Sequence, residues 1–226
     1  MYTMLRTWPN IAYTIGALSQ YSAKPGTSHL MVVNQLLWYL NVTKDYKLTL
    51  DGNSHEDDNT TYSDLDWAGD STDHHSISSY VFKMAGTTVT WSSKKQSSTA
   101  LSSTKGEYMA LTHATKEAMW IQYFLSDVLF TTSHKLTILG DNQGALALTV
   151  NPTHHARTKH ICVCEHFIWE CVEAGNIDLN YIPTADRVAD IFTKGLPVVE
   201  HKRFTKDMGL VGVSTHWVGM LEDNGD

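Results

Sequence analysis

From Thr60 onward the hydrophobic period changes in an order that few architectures can accept. Thr60–Asp66 alternates apolar and polar residues, as a half-buried strand does. Ile77–Met84 and Thr87–Trp91 read as two more strands, joined across Ala85-Gly86 as a hairpin. Thr104–Val128 then switches to a helical period, with Leu111, Ala114, Ala118, Ile121 and Leu125 on one face. A short buried strand over Leu136–Leu139 leads to a helix over Asn142–Leu148. A further helix over Thr158–Ala174 is stopped by Gly175. Ile177–Ile182 reads as a strand broken by Pro183, and Ala185–Lys194 as a last helix. Consecutive strands, then strands alternating with helices, predict an α/β fold with a mixed sheet flanked by helices.

The residues before Thr60 have a different character. Asn10 can cap a helix that carries Ile11, Ile15 and Leu18, and Pro25-Gly26 marks a turn. Ser28 can cap a second helix to about Leu40, and its Val32, Val33, Leu36, Leu37 and Leu40 predict a mostly buried element. The polar run DGNSHEDDNT reads as a linker. The expected division is a helical segment over residues 1–50, a linker over 51–59, the α/β domain over 60–210 and a frayed tail over 211–226.

Charge narrows the function. The chain carries 24 acidic against 17 basic residues, a net charge of -7. That is the wrong sign for affinity built on neutralising phosphates, unless the acids gather where cations cancel them. A hydrophobic content of 42% is ample for a buried core. Three cysteines crowded into one segment do not make a disulfide framework, so a reducing, intracellular setting is expected. No run approaches the ~20 apolar residues of a membrane span. No basic region followed by an apolar run opens the chain, and neither a membrane nor a secreted location is expected.

Four carboxylates fall where packing does not want them. Asp64 lies inside the first strand of the domain, and Glu107 heads the apolar face of the long helix. Asp141 follows the buried strand Leu136–Leu139, and Asp190 lies early in the last helix. Each has a plain structural explanation. Asp64 could be a strand-end solvating residue. Thr104 and Glu107 fit a capping box, Asp141 could cap a helix, and Asp190 could answer a helix dipole. Their joint occurrence at strand ends and facing helices favours convergence. Converging acids need raised pKa values or bound cations, and Mg²⁺ is the usual hard cation for oxygen ligands. A pair of such ions ~3.5–4 Å apart serves phosphodiester hydrolysis.

The runs YSDLDWAGDSTDHHSISSYVF, WSSKKQSSTALSSTKGEYMAL, LGDNQGALAL, RTKHI and YIPTADRVADIFTKGL resemble the ribonuclease H domain of copia-type retrotransposon Pol polyproteins. The opening WPNIAYTIGALSQYSAKPGTSHL resembles the segment that follows the polymerase palm in that family. The resemblance implies a ribonuclease H-like mixed five-stranded sheet, preceded by a short helical segment. It implies cleavage of the RNA strand of RNA–DNA hybrids, with Asp64, Glu107, Asp141 and Asp190 as catalytic residues holding two Mg²⁺ ions, Mn²⁺ being an acceptable substitute. Lys94, Lys95, Asn142, Gln143, Arg157, Lys159 and His160 are the expected substrate contacts. The expected partners are the hybrid and the reverse transcriptase portion of the parent polyprotein, in the cytoplasm or in retrotransposon particles. The Y-x-D-D polymerase motif is absent from the sequence, so no polymerase, integrase or protease activity is expected.

Several positions depart from the family. Asn34, Gln35, Trp38 and Asn41, and later Cys164 and Trp169, stand where basic residues are usual, and Cys162 stands at an Asp-type position. Loss of basic residues weakens hybrid binding, so a slow nuclease or an inert folded remnant is the alternative. Cytosine deamination would produce such changes, and sister copies without a transition excess would count against it. His154, His155, His160, Cys162, Cys164, His166 and Cys171 suggest zinc at first sight. Their C-x-C spacing is not the usual pair, and Cys164 and Cys171 share a helical stripe with Ile161 and Ile168, as core residues do.

Overall fold

The computed structural model describes residues 1–50, 60–66, 75–100, 102–129, 135–150 and 162–212. The chain opens with α1 (Tyr2–Arg6), a 3-10 turn (Pro9–Ile11), α2 (Ala12–Ser19), α3 (Thr27–Val42) and the short strand β1 (Tyr46–Leu48). The strands β2 (Thr60–Asp66), β3 (Ile77–Met84) and β4 (Thr87–Lys95) precede α4 (Ser103–Leu129). Then come β5 (Leu136–Gly140), α5 (Gln143–Val150), α6 (Cys162–Glu173) and β6 (Ile177–Tyr181). Two 3-10 turns, Thr184–Asp186 and Val188–Phe192, lead to α7 (Val198–Asp207) and β7 (Leu210–Gly212).

The main sheet is five-stranded, in the order β4-β3-β2-β5-β6. β2, β3 and β4 form an antiparallel meander, while β5 and β6 add parallel to β2. This is the mixed α/β sheet expected of a ribonuclease H-like domain. The β3–β4 hairpin turns on Ala85 (φ 48°) and Gly86 (φ 78°). Both residues have the positive φ that a tight two-residue hairpin demands.

The sheet buries both faces, as a sheet with parallel additions must. On one side α4, α5 and α6 cover Tyr80, Phe82, Leu136, Ile138 and Ile177 with Tyr108, Leu111, Ala114 and Ile168. On the other, Val81 packs with Ala12, Ile191, Phe192, Phe204 and Met208. A buried aromatic such as Phe192 contributes about 1.5–3 kcal/mol. Burying it also fixes the segment that carries Asp190.

The first fifty residues dock on the domain. Trp91 Nε1 donates to the Met4 carbonyl at 2.7 Å, and Lys95 Nζ to Gln20 Oε1 at 2.8 Å. β1 pairs antiparallel with β7, joining the segment to the end of the domain. Asn10 does not cap a helix by its side chain. It is buried, and its Nδ2 donates to Tyr39 Oη at 2.5 Å and to Thr205 Oγ1 at 3.2 Å. Asn10→Ala removes the donor shared by two elements, and a loss of about 1–3 kcal/mol in chemical denaturation is the expected result. An unchanged midpoint would show that this docking contact adds nothing to stability.

Three further expectations change. The cap of α3 is Gly26, whose N–H donates to His29 Nδ1 at 2.9 Å, rather than Ser28. No residue of α3 is buried, and Leu30, Met31, Leu37 and Trp38 are exposed, because only one flank of the helix meets the rest of the chain. The segment read as a last helix is two 3-10 turns, interrupted at Arg187 by extended backbone (φ -84°, ψ 99°). The expected linker at 51–59 and most of the expected tail lie outside the described residues. Among those described, no helix is long and apolar enough to cross a membrane.

Candidate active site

The four acids come from four different elements. Tyr62 of β2 is in register with Leu139 of β5. Two residues further along these parallel neighbours come Asp64 and Asp141, side by side at the carboxyl ends of their strands. α4 brings Glu107 to the same rim. Its approach depends on Gly106, where a Cβ would lie 2.5 Å from Leu65 Cδ2 and 3.3 Å from Ala100 Cβ. Gln96 Nε2 secures the same turn by donating to the Gly106 carbonyl at 3.1 Å. Asp190 reaches the rim from the second 3-10 turn, and is buried.

One cation stands among them. Arg187 Nη2 lies 2.6 Å from Asp64 Oδ1, and Nε lies 2.7 Å from Asp190 Oδ1. Nη1 pairs with Asp141 Oδ1. The Arg187 side chain is only 5% exposed and that of Asp64 only 1%. The Nε–Asp190 contact is an aligned hydrogen bond, whereas the Nη2–Asp64 Oδ1 and Nη1–Asp141 Oδ1 contacts are ion pairs without hydrogen-bond alignment. Lys194 Nζ adds a second positive charge 2.5 Å from Asp190 Oδ2. Thr193 Oγ1 donates to Asp64 Oδ2, and Thr184 Oγ1 donates to Asp141 Oδ2 at 2.8 Å.

Even so, the charges are not balanced. Burial, and then the neighbouring Asp64, raise Glu107 to about 8, with Arg187 opposing them and Asp141 and Asp190 adding to the rise. Burial also lifts Asp64 to about 6, although Arg187 pulls it down. Asp66, at the end of the same strand, is raised by burial too. Burial disfavours the charge on Arg187, but the three aspartates outweigh it and hold the guanidinium protonated. Crowded carboxylates with raised affinity for protons also have affinity for other cations.

Carboxylate oxygens are the donors that Mg²⁺ takes, at roughly 2.0–2.1 Å in octahedral geometry. A planar guanidinium is larger than a bare ion and holds the oxygens further apart. Among the described residues, no group of three or more His, Cys, Asp or Glu side chains is arranged to hold a metal ion. In kind the donors suit Mg²⁺; in spacing, with Arg187 between them, they do not fit it.

The expected substrate contacts divide. Asn142 and Gln143 lie beside Asp141 at the start of α5, where Asn142 Oδ1 accepts the Ala145 N–H at 2.9 Å. Lys94 is exposed on β4, while Lys95 reaches Gln20. Arg157, Lys159 and His160 lie outside the described residues, as do the two histidines at 154 and 155. Cys171 is a buried free thiol, in keeping with a core role. Arg187 is the site residue that sequence reasoning missed. Its one signal was a basic residue set between Asp186 and Asp190 in T-A-D-R-V-A-D.

No family model matches the chain. The retrovirus-related Pol polyprotein from transposon RE2 of Arabidopsis thaliana is 35% identical over 219 residues, 95% of this chain and 15% of that protein. The Pol polyprotein from transposon TNT 1-94 of Nicotiana tabacum is 35% identical over 216 residues, 96% of this chain and 16% of its own length. Secreted RxLR effector protein 161 of Plasmopara viticola is 45% identical over 123 residues, 54% of this chain and 84% of that protein. Among solved structures, the N-terminal RNase H domain of rv2228c from Mycobacterium tuberculosis aligns at 11% identity with a TM-score of 0.40. That alignment covers 65% of this chain and 96% of the other. With about a third of its residues shared over more than nine-tenths of its length, the chain belongs to the retrovirus-related Pol polyproteins of copia-type transposons, as a segment spanning 14–16% of their length.

Proposed function

We propose that this chain is a nuclease domain that cuts the RNA strand of RNA–DNA hybrids, inside the cell, in association with the reverse transcriptase portion of its parent polyprotein. The observation that carries the reading is the meeting of Asp64, Glu107, Asp141 and Asp190 from four elements at one rim of the sheet. Acids gathered in this way are costly to a fold and suit chemistry on phosphodiesters. Mg²⁺, or Mn²⁺ in its place, is the cofactor such a site calls for, with those four side chains as its ligands once Arg187 no longer takes their oxygens.

The chain's own residues supply the rest. Asn142 uses its side-chain carbonyl as a cap, and its Nδ2 is the donor it would offer the substrate, beside Gln143. Lys94 is exposed on the outer strand of the meander and suits a backbone phosphate. Arg157, Lys159 and His160 extend the same role.

A second reading is a folded remnant that binds nucleic acid weakly and cuts nothing. The favouring observation is the Arg187 guanidinium, which already pairs with three of the four acids. Labelled RNA–DNA hybrid incubated with Mg²⁺ and the full chain separates the two. Slow cleavage, lost in Asp64→Asn and in Glu107→Gln, is the expected result. Cleavage that persists unchanged in both variants would remove the acids from the mechanism, and none from the parent chain would leave the remnant.

A further inference from the structure

We propose that Arg187 is an internal cation that competes with divalent metal for the Asp64, Asp141 and Asp190 carboxylates and holds the centre off until it is displaced. The inference rests on the nuclease reading above, and concerns how that site is regulated.

Three nitrogens of one side chain each meet a different aspartate. These are the oxygens an ion would have to take. A doubly charged ion and a guanidinium cannot share them, because two like charges a few ångströms apart in a buried site repel strongly. Occupancy is therefore exclusive, and exclusive occupancy is competition.

Other features make displacement feasible. The guanidinium is held more by charge than by directed bonds, since only the Nε–Asp190 contact is well aligned. Arg187 links the two 3-10 turns, its N–H donating to the Thr184 carbonyl at 3.2 Å and its carbonyl accepting the Asp190 N–H at 3.2 Å, so the backbone stays anchored while the side chain moves. Asp141, at 17% side-chain exposure, forms the solvent side of the cluster and gives the side chain a way out. Lys194, 41% exposed, stays on Asp190 from the opposite side and limits the charge left behind.

The test is binding of Mn²⁺ alone to the full chain, read from the electron paramagnetic resonance signal of the free ion. Arg187→Gln is expected to bind Mn²⁺ at least tenfold more tightly than the parent, and Arg187→Gln with Asp64→Asn to lose that gain. Equal affinity of parent and Arg187→Gln overturns the proposal, as does a gain that survives Asp64→Asn. Should Arg187→Gln fail to fold, the parent chain still decides. Its Arg187 Nε–H resonance must shift or broaden as Mg²⁺ is added, and a resonance unmoved while Mn²⁺ binds overturns the proposal. Cleavage is a separate readout. An Arg187→Gln chain that gains metal but leaves hybrid intact supports the competition and sinks the nuclease reading.

Discussion

At pH 9, without divalent ions, Glu107→Gln is expected to stabilise the chain by about 3–5 kcal/mol, and at pH 4 to change little. Burial, with Asp64 next to it, lifts the Glu107 carboxyl to about 8 from an ordinary 4.5. Each tenfold difference in proton affinity between folded and unfolded states is worth roughly 1.4 kcal/mol. The sign follows from proton counting. Below pH 4.5 the residue is protonated in both states and costs nothing. As pH rises, the unfolded chain ionises first, so its stability relative to the fold grows, and the penalty is complete only above pH 8. Asp64, raised to about 6, adds a smaller decline over a lower range. Glutamine keeps the shape and hydrogen bonding of the neutral acid and removes the ionisation. Denaturant unfolding at pH 4, 7 and 9 in the presence of a chelator measures the difference. Parallel pH curves for parent and variant would mean that Glu107 is not confined with the other acids.

Three of the four acids were legible in the sequence because each stands at a place set by local pattern. Asp64 and Asp141 follow from strand period and strand ends, and Glu107 follows from the one well-defined apolar stripe of α4. The sheet was legible for the same reason. What escaped notice depends on distant parts of the chain. β1 and β7 are three residues each, and their partners lie more than 150 residues apart, so no local period announces them. α7 carries E-H-K-R in its middle and buries little besides Phe204 and Thr205. In α3 the apolar residues surround the helix, and periodicity cannot say which flank the rest of the chain will cover. Around Asp190 the text A-D-R-V-A-D-I-F-T-K has helical composition, yet burial of Val188, Ile191 and Phe192 against the sheet outweighs propensity. That burial leaves Arg187 in extended backbone with its side chain among the acids. The central cation is thus a tertiary result, written in no motif.

Arg187→Met will, on this account, be the most destabilising substitution in the centre, at about 3–5 kcal/mol near pH 8 in chelator, because it strips a buried set of charges of their partner. Methionine keeps much of the apolar stem, so lost packing contributes less than lost charge. The effect must depend on pH. Arg187 lowers the proton affinity of both Asp64 and Glu107. Without it both rise further, and the variant declines more steeply than the parent as pH increases. As pH falls toward 4, Asp64 and Glu107 become protonated in the fold, and the difference between the two proteins should shrink. A double-mutant cycle gives the sharpest form of the prediction. Glu107→Gln should recover part of the Arg187→Met loss, little of it at pH 8, where a carboxyl raised to about 8 is already half protonated in the parent, and more at pH 9.5, since both residues act on one cluster. Strict additivity at pH 9.5, or a loss as large at pH 4 as at pH 8, would show that Arg187 serves packing alone and that the acids do not need a cation at their centre.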